Sequence, residues 1–172
     1  MDPRHLLLRR IRILLAVFIL GLLVCGITAF PLEWELRTLT RLTGVPDAAS
    51  AANYSGITAW LITVRDGLAD TYARYPWLAY GTDWLAFAHI VLAILFIGPW
   101  RDPVRNLWVI EFGLIACVLV IPLAMICGPL RGIPLYWRLI DCSFGVVGLA
   151  VLWPARTLAQ KLMALHGERP CG

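Results

Sequence analysis

Hydrophobic residues in this chain are gathered into four long stretches that carry almost no charge. The stretches are Ile13–Leu32, Asp83–Pro99, Leu107–Cys127 and Pro134–Trp153. A helix of about 20 apolar residues crosses the roughly 30 Å hydrocarbon core of a bilayer, because each residue adds about 1.5 Å. The pattern therefore predicts an all-α integral membrane protein, a four-transmembrane-helix bundle that forms a single membrane domain over residues 1–172.

Composition agrees with a membrane location. The chain is 60% hydrophobic and 15% charged, and its mean hydropathy is +0.76. A soluble fold of 172 residues leaves much of its area in water, so it could not hide this much apolar surface. The net charge of +4 does not point to nucleic acid, because no extramembrane segment combines a basic patch with interleaved aromatic residues. We therefore expect the lipid bilayer as a partner, and no nucleic acid.

The first apolar stretch follows a basic segment, as the apolar part of a signal peptide also does. Arg9, Arg10 and Arg12 form this basic segment. The stretch is longer than the roughly 7–15 apolar residues of a signal peptide, and no clear small-x-small cleavage site follows it. We therefore favour an uncleaved membrane anchor, and cleavage is the alternative.

The basic residues predict which side of the membrane each end of the chain occupies. Nine of the 15 Lys and Arg residues lie at the two ends or between the second and third stretches: Arg4, Arg9, Arg10, Arg12, Arg101, Arg105, Arg156, Lys161 and Arg169. Cytoplasmic flanks of membrane helices carry an excess of Lys and Arg. The sequence therefore predicts that both termini are cytoplasmic, in what we expect to be a bacterial cytoplasmic (inner) membrane.

Residues 33–81 form the one sizeable segment outside the predicted spans. Leucine spacing predicts a helix over residues 32–42, and the polar linker over residues 44–56 is expected to be flexible. A second helix is predicted over residues 57–75, where apolar residues recur at the spacing of an amphipathic helix, with Ser55 as its cap. We expect this extracytoplasmic helix to lie on the membrane surface or to cap the bundle. A lid over a site between the spans is the alternative.

A few polar side chains lie within the predicted spans, where an ionisable group costs about 2.5–3.5 kcal/mol on insertion scales. His89, Arg138 and Asp141 fall in the outer third of the membrane, and Arg131 lies nearer the headgroups. Polar residues at such depths usually face the interior of a bundle and often mark a functional site. These four residues are therefore the candidate site.

This layer has a structural and a functional interpretation. In the structural one, Asp141 forms an internal ion pair with Arg138, one helical turn away, and His89 bonds to a backbone carbonyl. In the functional one, His89 and Asp141 are a catalytic base and the group that orients it, while Arg131 and Arg138 bind an anionic headgroup or a phosphate. The functional arrangement would suit an enzyme or a carrier that acts on a lipid-linked substrate from the outer leaflet.

We expect no metal site, and the sequence identifies no cofactor. His5 and His166 fall on the cytoplasmic side, so neither can join His89 in a haem or metal site. A mixed site with Cys25 and Cys142 lacks a ligand motif. The five cysteines include no C-x-x-C pair, which is the usual signature of thiol–disulfide exchange.

Further residues bear on how the spans pack. Glu111 lies near the inner end of the third span, where we expect it to pair with Arg101 or Arg105; a proton-relay carboxylate is the alternative. Small residues let helices approach closely in a membrane. Three glycines suit such contacts, within the bundle or between chains: Gly113, Gly145 and Gly148.

The chain contains no nucleophile elbow, zinc-protease, phosphate-loop or dinucleotide-binding motif. We therefore expect a polytopic membrane protein that is a non-enzymatic accessory or assembly subunit of a membrane complex, with membrane-protein partners or further copies of itself. The alternative is a small membrane enzyme or lipid-binding protein with an outer-leaflet polar site at His89, Arg138 and Asp141. The sequence leaves both classes open.

Overall fold

The computed structural model describes residues 3–167, with side chains up to residue 165, and these residues form helices and turns without a β-strand. Arg169, counted above among the basic residues, and the side chain of His166 lie outside this description. The seven helices of the described chain are α1 (Pro3–Ala29), α2 (Leu32–Leu42), α3 (Gly56–Arg74), α4 (Tyr80–Leu95), α5 (Ile97–Arg101), α6 (Leu107–Leu130) and α7 (Leu135–Gly167). Short 3-10 turns at Ala51–Asn53 and Pro76–Ala79 precede α3 and α4.

Four helical segments are long and apolar enough to cross a membrane, as the hydrophobic pattern predicts. They are Pro3–Ala29, Pro76–Arg101, Leu107–Leu130 and Leu135–Leu165. The all-helical prediction is therefore confirmed, and each predicted stretch falls largely within one of these segments.

The structure corrects the predicted end of the fourth helix. The sequence predicts an end at Trp153, but α7 continues through Pro154. An interior proline removes one helical hydrogen bond and costs about 3 kcal/mol. Beyond it, Ala155, Ala159 and Leu162 are fully buried or nearly so. The packing of this buried face explains why the helix continues past the proline.

The described contacts divide the chain into two compact units. The first unit consists of Met1–Gly21 and Leu92–Gly172, and the second of Leu22–Val91. Within the first unit, Phe18 of α1 packs on Phe96, with ring centroids 4.7 Å apart. The guanidinium of Arg4 donates to the carbonyl oxygen of Leu165 at 2.6 Å.

The closest packing in the first unit is between α6 and α7, and glycines make it possible. A Cβ atom on Gly145 would overlap the carbonyl oxygen of Cys117, and one on Gly148 would overlap the Cys117 sulfur. A Cβ atom on Gly113 would lie 2.6 Å from the ring of Phe96 and 2.7 Å from a methyl group of Leu152. The predicted role of these three glycines within the bundle is therefore confirmed.

In the second unit, α2 packs on α3, and the loop between them is bound to α3. Arg65 is only 3% exposed, and it donates to the carbonyl oxygens of Pro46 at 3.4 Å and Ala49 at 3.1 Å. Its Nε also bonds Asp66 at 2.8 Å. Val45 of the same loop is buried. The loop is thus held in place, which corrects the prediction of a flexible linker.

Details of α3 also differ from the sequence prediction. Ser55 precedes the helix in an extended conformation, but its side chain accepts no capping hydrogen bond. Burial on α3 falls at Leu61, Ile62 and Arg65, whereas Ile57 is 51% exposed. The regular spacing of apolar residues therefore predicts the helix but not the face that is buried.

Candidate functional site

The turn between α6 and α7 is built by a glycine in the left-handed backbone region. Gly132 has φ +69°, a conformation that costs little only without a Cβ atom. The N–H groups of Arg131 and Ile133 both donate to the carbonyl oxygen of Gly128, at 3.1 and 3.0 Å. These bonds satisfy a carbonyl group in the last turn of α6, in the manner of a glycine helix end. They fix Arg131 at the turn between the two helices.

A cavity of about 240 Å³ lies between α6 and α7 beside this turn, and we call it the outer cleft. Val120, Leu123 and Ala124 of α6 form its apolar wall. Arg131 from the turn and Asp141 from α7 supply its charged groups. The structure therefore brings two of the four predicted site residues to one cavity.

Arg138 lies against the same region of α6. Its aliphatic stem crosses Gly128, where a Cβ atom would overlap the Arg138 side chain. Gly128 itself lines the outer cleft. The Nε atom of Arg138 is buried and has no hydrogen-bond partner among the residues that the structure describes.

Arg138 and Asp141 do not form the ion pair that the structural interpretation requires. None of the salt bridges between described residues joins them, and Asp141 makes no side-chain hydrogen bond within that part of the chain. The stem of Arg138 crosses Gly128, so its guanidinium does not pair with the carboxylate of Asp141. The ion pair of the structural interpretation is therefore not found among the described residues.

His89 belongs to the second unit, whereas Arg131, Arg138 and Asp141 belong to the first. Its Nδ1 lies 2.8 Å from the carbonyl oxygen of Leu85, one turn earlier in α4. A carbonyl oxygen only accepts, so this bond requires the proton on Nδ1 and leaves Nε2 unprotonated in the neutral ring. Such a ring nitrogen is able to accept a proton.

Near the start of α6, Glu111 bonds Arg156 of α7. The two side chains are joined at 2.8 Å, and each is partly exposed. The prediction of Arg101 or Arg105 as the partner is therefore wrong. Sequence reasoning missed Arg156 because Pro154 was taken as the end of the span, which placed this arginine beyond the helix.

The described residues show no group of three or more His, Cys, Asp and Glu side chains that could hold a metal ion. Cys25, Cys117, Cys127 and Cys142 carry free thiols. Comparison with known protein families, curated proteins and solved structures finds no match to this chain.

Proposed function

We propose that this protein is an integral protein of a cytoplasmic (inner) membrane whose four long helices cross the bilayer, with both termini in the cytoplasm. The length and apolar composition of these helices support the proposal, as does the excess of Lys and Arg on the flanks assigned to the cytoplasm. Only 17–22% of the residues in their most apolar parts are buried inside the protein. The remaining apolar side chains are available to lipid, and α2 and α3 form the extracytoplasmic segment.

We further propose that the outer cleft binds the headgroup of a phospholipid. The observation that carries this proposal is the buried Nε of Arg138, which has no partner among the described residues. Arg138 is partly exposed, but a buried donor atom without a partner is costly, so a role confined to packing would bond this atom within the protein. A guanidinium fits a phosphate group through two parallel hydrogen bonds. Arg131 lines the cleft that Arg138 borders at Gly128, and it adds a second positive charge.

Asp141 narrows the choice of headgroup to a zwitterionic one. A purely anionic headgroup would leave this carboxylate facing like charge, which is unfavourable. The phosphoethanolamine headgroup offers a phosphate to Arg131 and Arg138 and a primary ammonium to Asp141. Each charged side chain near the cleft then has a partner of opposite charge.

The depth of the cleft agrees with a headgroup site. Asp141 is six residues along α7 from Leu135, which is about 9 Å of helix. On this measure Asp141 lies in the outer third of the span, whereas Arg131 at the turn lies nearer the headgroups, so the cleft extends from the headgroup level into the span. The apolar wall from α6 would then contact the first part of the lipid tail.

Headgroup binding does not need His89, but an enzymatic version of the proposal does. With its proton on Nδ1, His89 has Nε2 free to act as a general base. A catalytic pair of His89 and Asp141 stays a prediction from the sequence, and His89→Gln tests the part of His89 through the turnover of an added phospholipid.

The second candidate function is that of a non-enzymatic accessory or assembly subunit of a membrane complex. The internal partners of other polar groups favour it, since Glu111 pairs with Arg156 and His89 bonds to a backbone carbonyl. Apolar surface that is not covered within the protein would then contact other membrane proteins or further copies of the chain.

The test is lipid binding by the purified full chain in nonionic detergent, measured by native mass spectrometry. Phosphatidylethanolamine, phosphatidylcholine and phosphatidylglycerol are titrated separately. We expect phosphatidylethanolamine to bind best, and Arg138→Gln to weaken it about tenfold, the loss of one charge-assisted contact of about 1.4 kcal/mol. Arg74→Gln is the matched control, because Arg74 pairs with Asp70 on the exposed surface of α3.

Unchanged binding in a folded Arg138→Gln variant would refute the headgroup site and favour the accessory role. Equal affinity for all three lipids would also refute it, because the choice of headgroup depends on Asp141. Reporter fusions at both ends test the orientation separately, and an extracytoplasmic signal from either end would overturn it.

A further inference from the structure

A second cavity in the first unit is larger than the outer cleft, and three of its eight lining residues are arginines. Its volume is about 410 Å³, and we call it the inner cavity. It lies where the first turns of α1, the segment after α5 and the far end of α7 come together. Its lining includes Leu8, Arg12, Arg101, Asp102, Arg105 and Leu162.

Two of the elements around the inner cavity are held by specific contacts. Arg12 donates from Nε to the carbonyl oxygen of Trp100 at 3.3 Å, and its guanidinium carbon lies 5.7 Å from the centre of the Trp100 ring. In the segment after α5, the N–H of Arg105 donates to the Asp102 carboxylate at 3.0 Å. The amide of Asn106 bonds the carbonyl oxygens of Gly98 and Asp102. The backbone that carries the arginines is therefore fixed.

The charges in the cavity do not cancel. Arg12, Arg101 and Arg105 bring three guanidinium groups, and Asp102 brings one carboxylate. Within the described part of the chain, none of the three guanidinium groups lies within 4.0 Å of a carboxylate. The cavity thus has a formal charge of +2. Like charges gathered in one cavity attract an anion with more than one negative charge.

We propose that the inner cavity binds the headgroup of a phospholipid that carries two phosphodiester groups, such as a diphosphatidylglycerol. Two phosphodiesters supply the two negative charges that the cavity lacks, and guanidinium groups bind phosphate oxygens in pairs. Basic pockets between membrane helices on the cytoplasmic side are suited to such headgroups. Leu8 and Leu162 supply the apolar wall for the glycerol and the first carbons of the tails.

The position of the cavity along α7 agrees with the inner headgroup layer. Leu162 is nine residues beyond Trp153, or about 13 Å of helix past the end of the apolar stretch. This placement in the inner leaflet rests on the proposed membrane orientation. The binding itself does not depend on the orientation or on the outer cleft.

The test is a titration of the full chain, purified in nonionic detergent, with diphosphatidylglycerol, phosphatidylglycerol, pyrophosphate and inorganic phosphate. Arg101→Gln and Arg105→Gln are the test variants, because neither side chain makes a hydrogen bond or an ion pair with the residues that the structure describes. We expect each to weaken diphosphatidylglycerol binding about fivefold, and the double variant about 25-fold. Arg9→Gln and Arg10→Gln are matched controls, since both arginines are exposed on α1 and neither lines the cavity.

Three results would overturn the proposal. The first is an equal loss in the Arg9 and Arg10 controls, which would mean diffuse attraction to basic flanks. The second is equal affinity for phosphatidylglycerol, which carries one phosphodiester. The third is pyrophosphate binding as tight as that of the lipid with the same arginine dependence, which would make the ligand a soluble anion. Failure of the outer site shows instead in Arg138→Gln, and a wrong orientation shows in the reporter fusions.

Discussion

Where α6 and α7 touch, the cost of replacing a glycine of α7 by alanine should depend on which atom of α6 the new methyl group meets. A Cβ atom added at Gly148 overlaps the sulfur of Cys117, and one added at Gly145 overlaps the carbonyl oxygen of the same cysteine. A side-chain atom can be removed by mutation, but a carbonyl oxygen cannot. Combining Gly148→Ala with Cys117→Ala, which removes the sulfur, therefore tests whether the two helices approach this closely.

The expected sizes follow from two opposing effects. Overpacking in a filled interior costs about 1–3 kcal/mol, whereas exchanging Gly for Ala within a helix gains about 1 kcal/mol. Gly148→Ala should therefore destabilise the protein by up to about 2 kcal/mol. Gly145→Ala should cost more, because backbone must move. Gly21→Ala is the control, since a Cβ atom there meets nothing within 4 Å, and it should be neutral or slightly stabilising.

The assay is equilibrium unfolding in mixed micelles, with the loss of helix followed as the denaturing detergent is increased. In the double variant Gly148→Ala/Cys117→Ala, we expect the cost of the first change to disappear, with a coupling energy of about 1–2 kcal/mol. In Gly145→Ala/Cys117→Ala, we expect no such rescue. Simple addition of the two single effects at Gly148 would refute the close packing of this helix pair.

Two predictions concern the loop between α2 and α3. Arg65→Met should destabilise the protein by about 2–3 kcal/mol and lower the protection of the loop amides, because two carbonyl oxygens of the loop lose a charged donor from a buried side chain; Arg74→Met, which removes an exposed ion pair with Asp70, should cost less than about 0.5 kcal/mol. The hydrogen bond from Arg41 holds the pKa of Asp47 below its ordinary value. This interaction therefore stabilises the loop fully above the unfolded-state pKa of about 3.9 and is lost as the pH falls through the lower folded-state pKa. Protection of the loop amides, taken relative to the intrinsic exchange rate at each pH, should fall on acidification in the wild type, whereas Asp47→Asn should show the lower protection at neutral pH as well; a pH-independent protection in the wild type would contradict the ion pair.

Hydrophobic spacing was enough to predict the helices of this protein. The leucine spacing over residues 32–42 matches α2, and the turn that follows it uses Gly44 with φ +78°, as the glycine there suggests. The apolar stretches fall within the four long helical segments. These features depend on neighbouring residues and on the length of each stretch, which a sequence displays directly.

Contacts between distant residues could not be predicted in the same way. In the sequence, Arg65 is one more arginine outside the predicted spans. Its partners in the structure lie 16 and 19 residues away, in a loop whose path depends on how α2 packs on α3. Glu111 finds Arg156 because α7 continues past a proline.

The candidate site was predictable only in part. Helical spacing places Arg138 and Asp141 on one side of α7, and it favours an ion pair between them. The stem of Arg138 instead crosses Gly128 on the neighbouring helix. A contact of this kind depends on how closely two helices approach, so periodicity within one helix does not reveal it.

One helix lines both cavities of the first unit, since Asp141 faces the outer cleft and Leu162 the inner cavity. The two residues are about 32 Å apart along the axis, at about 1.5 Å for each residue between them. A straight helix rotates as one rigid body, so a rotation of α7 at one of these sites would also turn its residues at the other. Pro154 is the one proline between these two residues, and it deprives the carbonyl of Ala150 of its helical donor. It is therefore the joint at which motion on the two sides can be uncoupled.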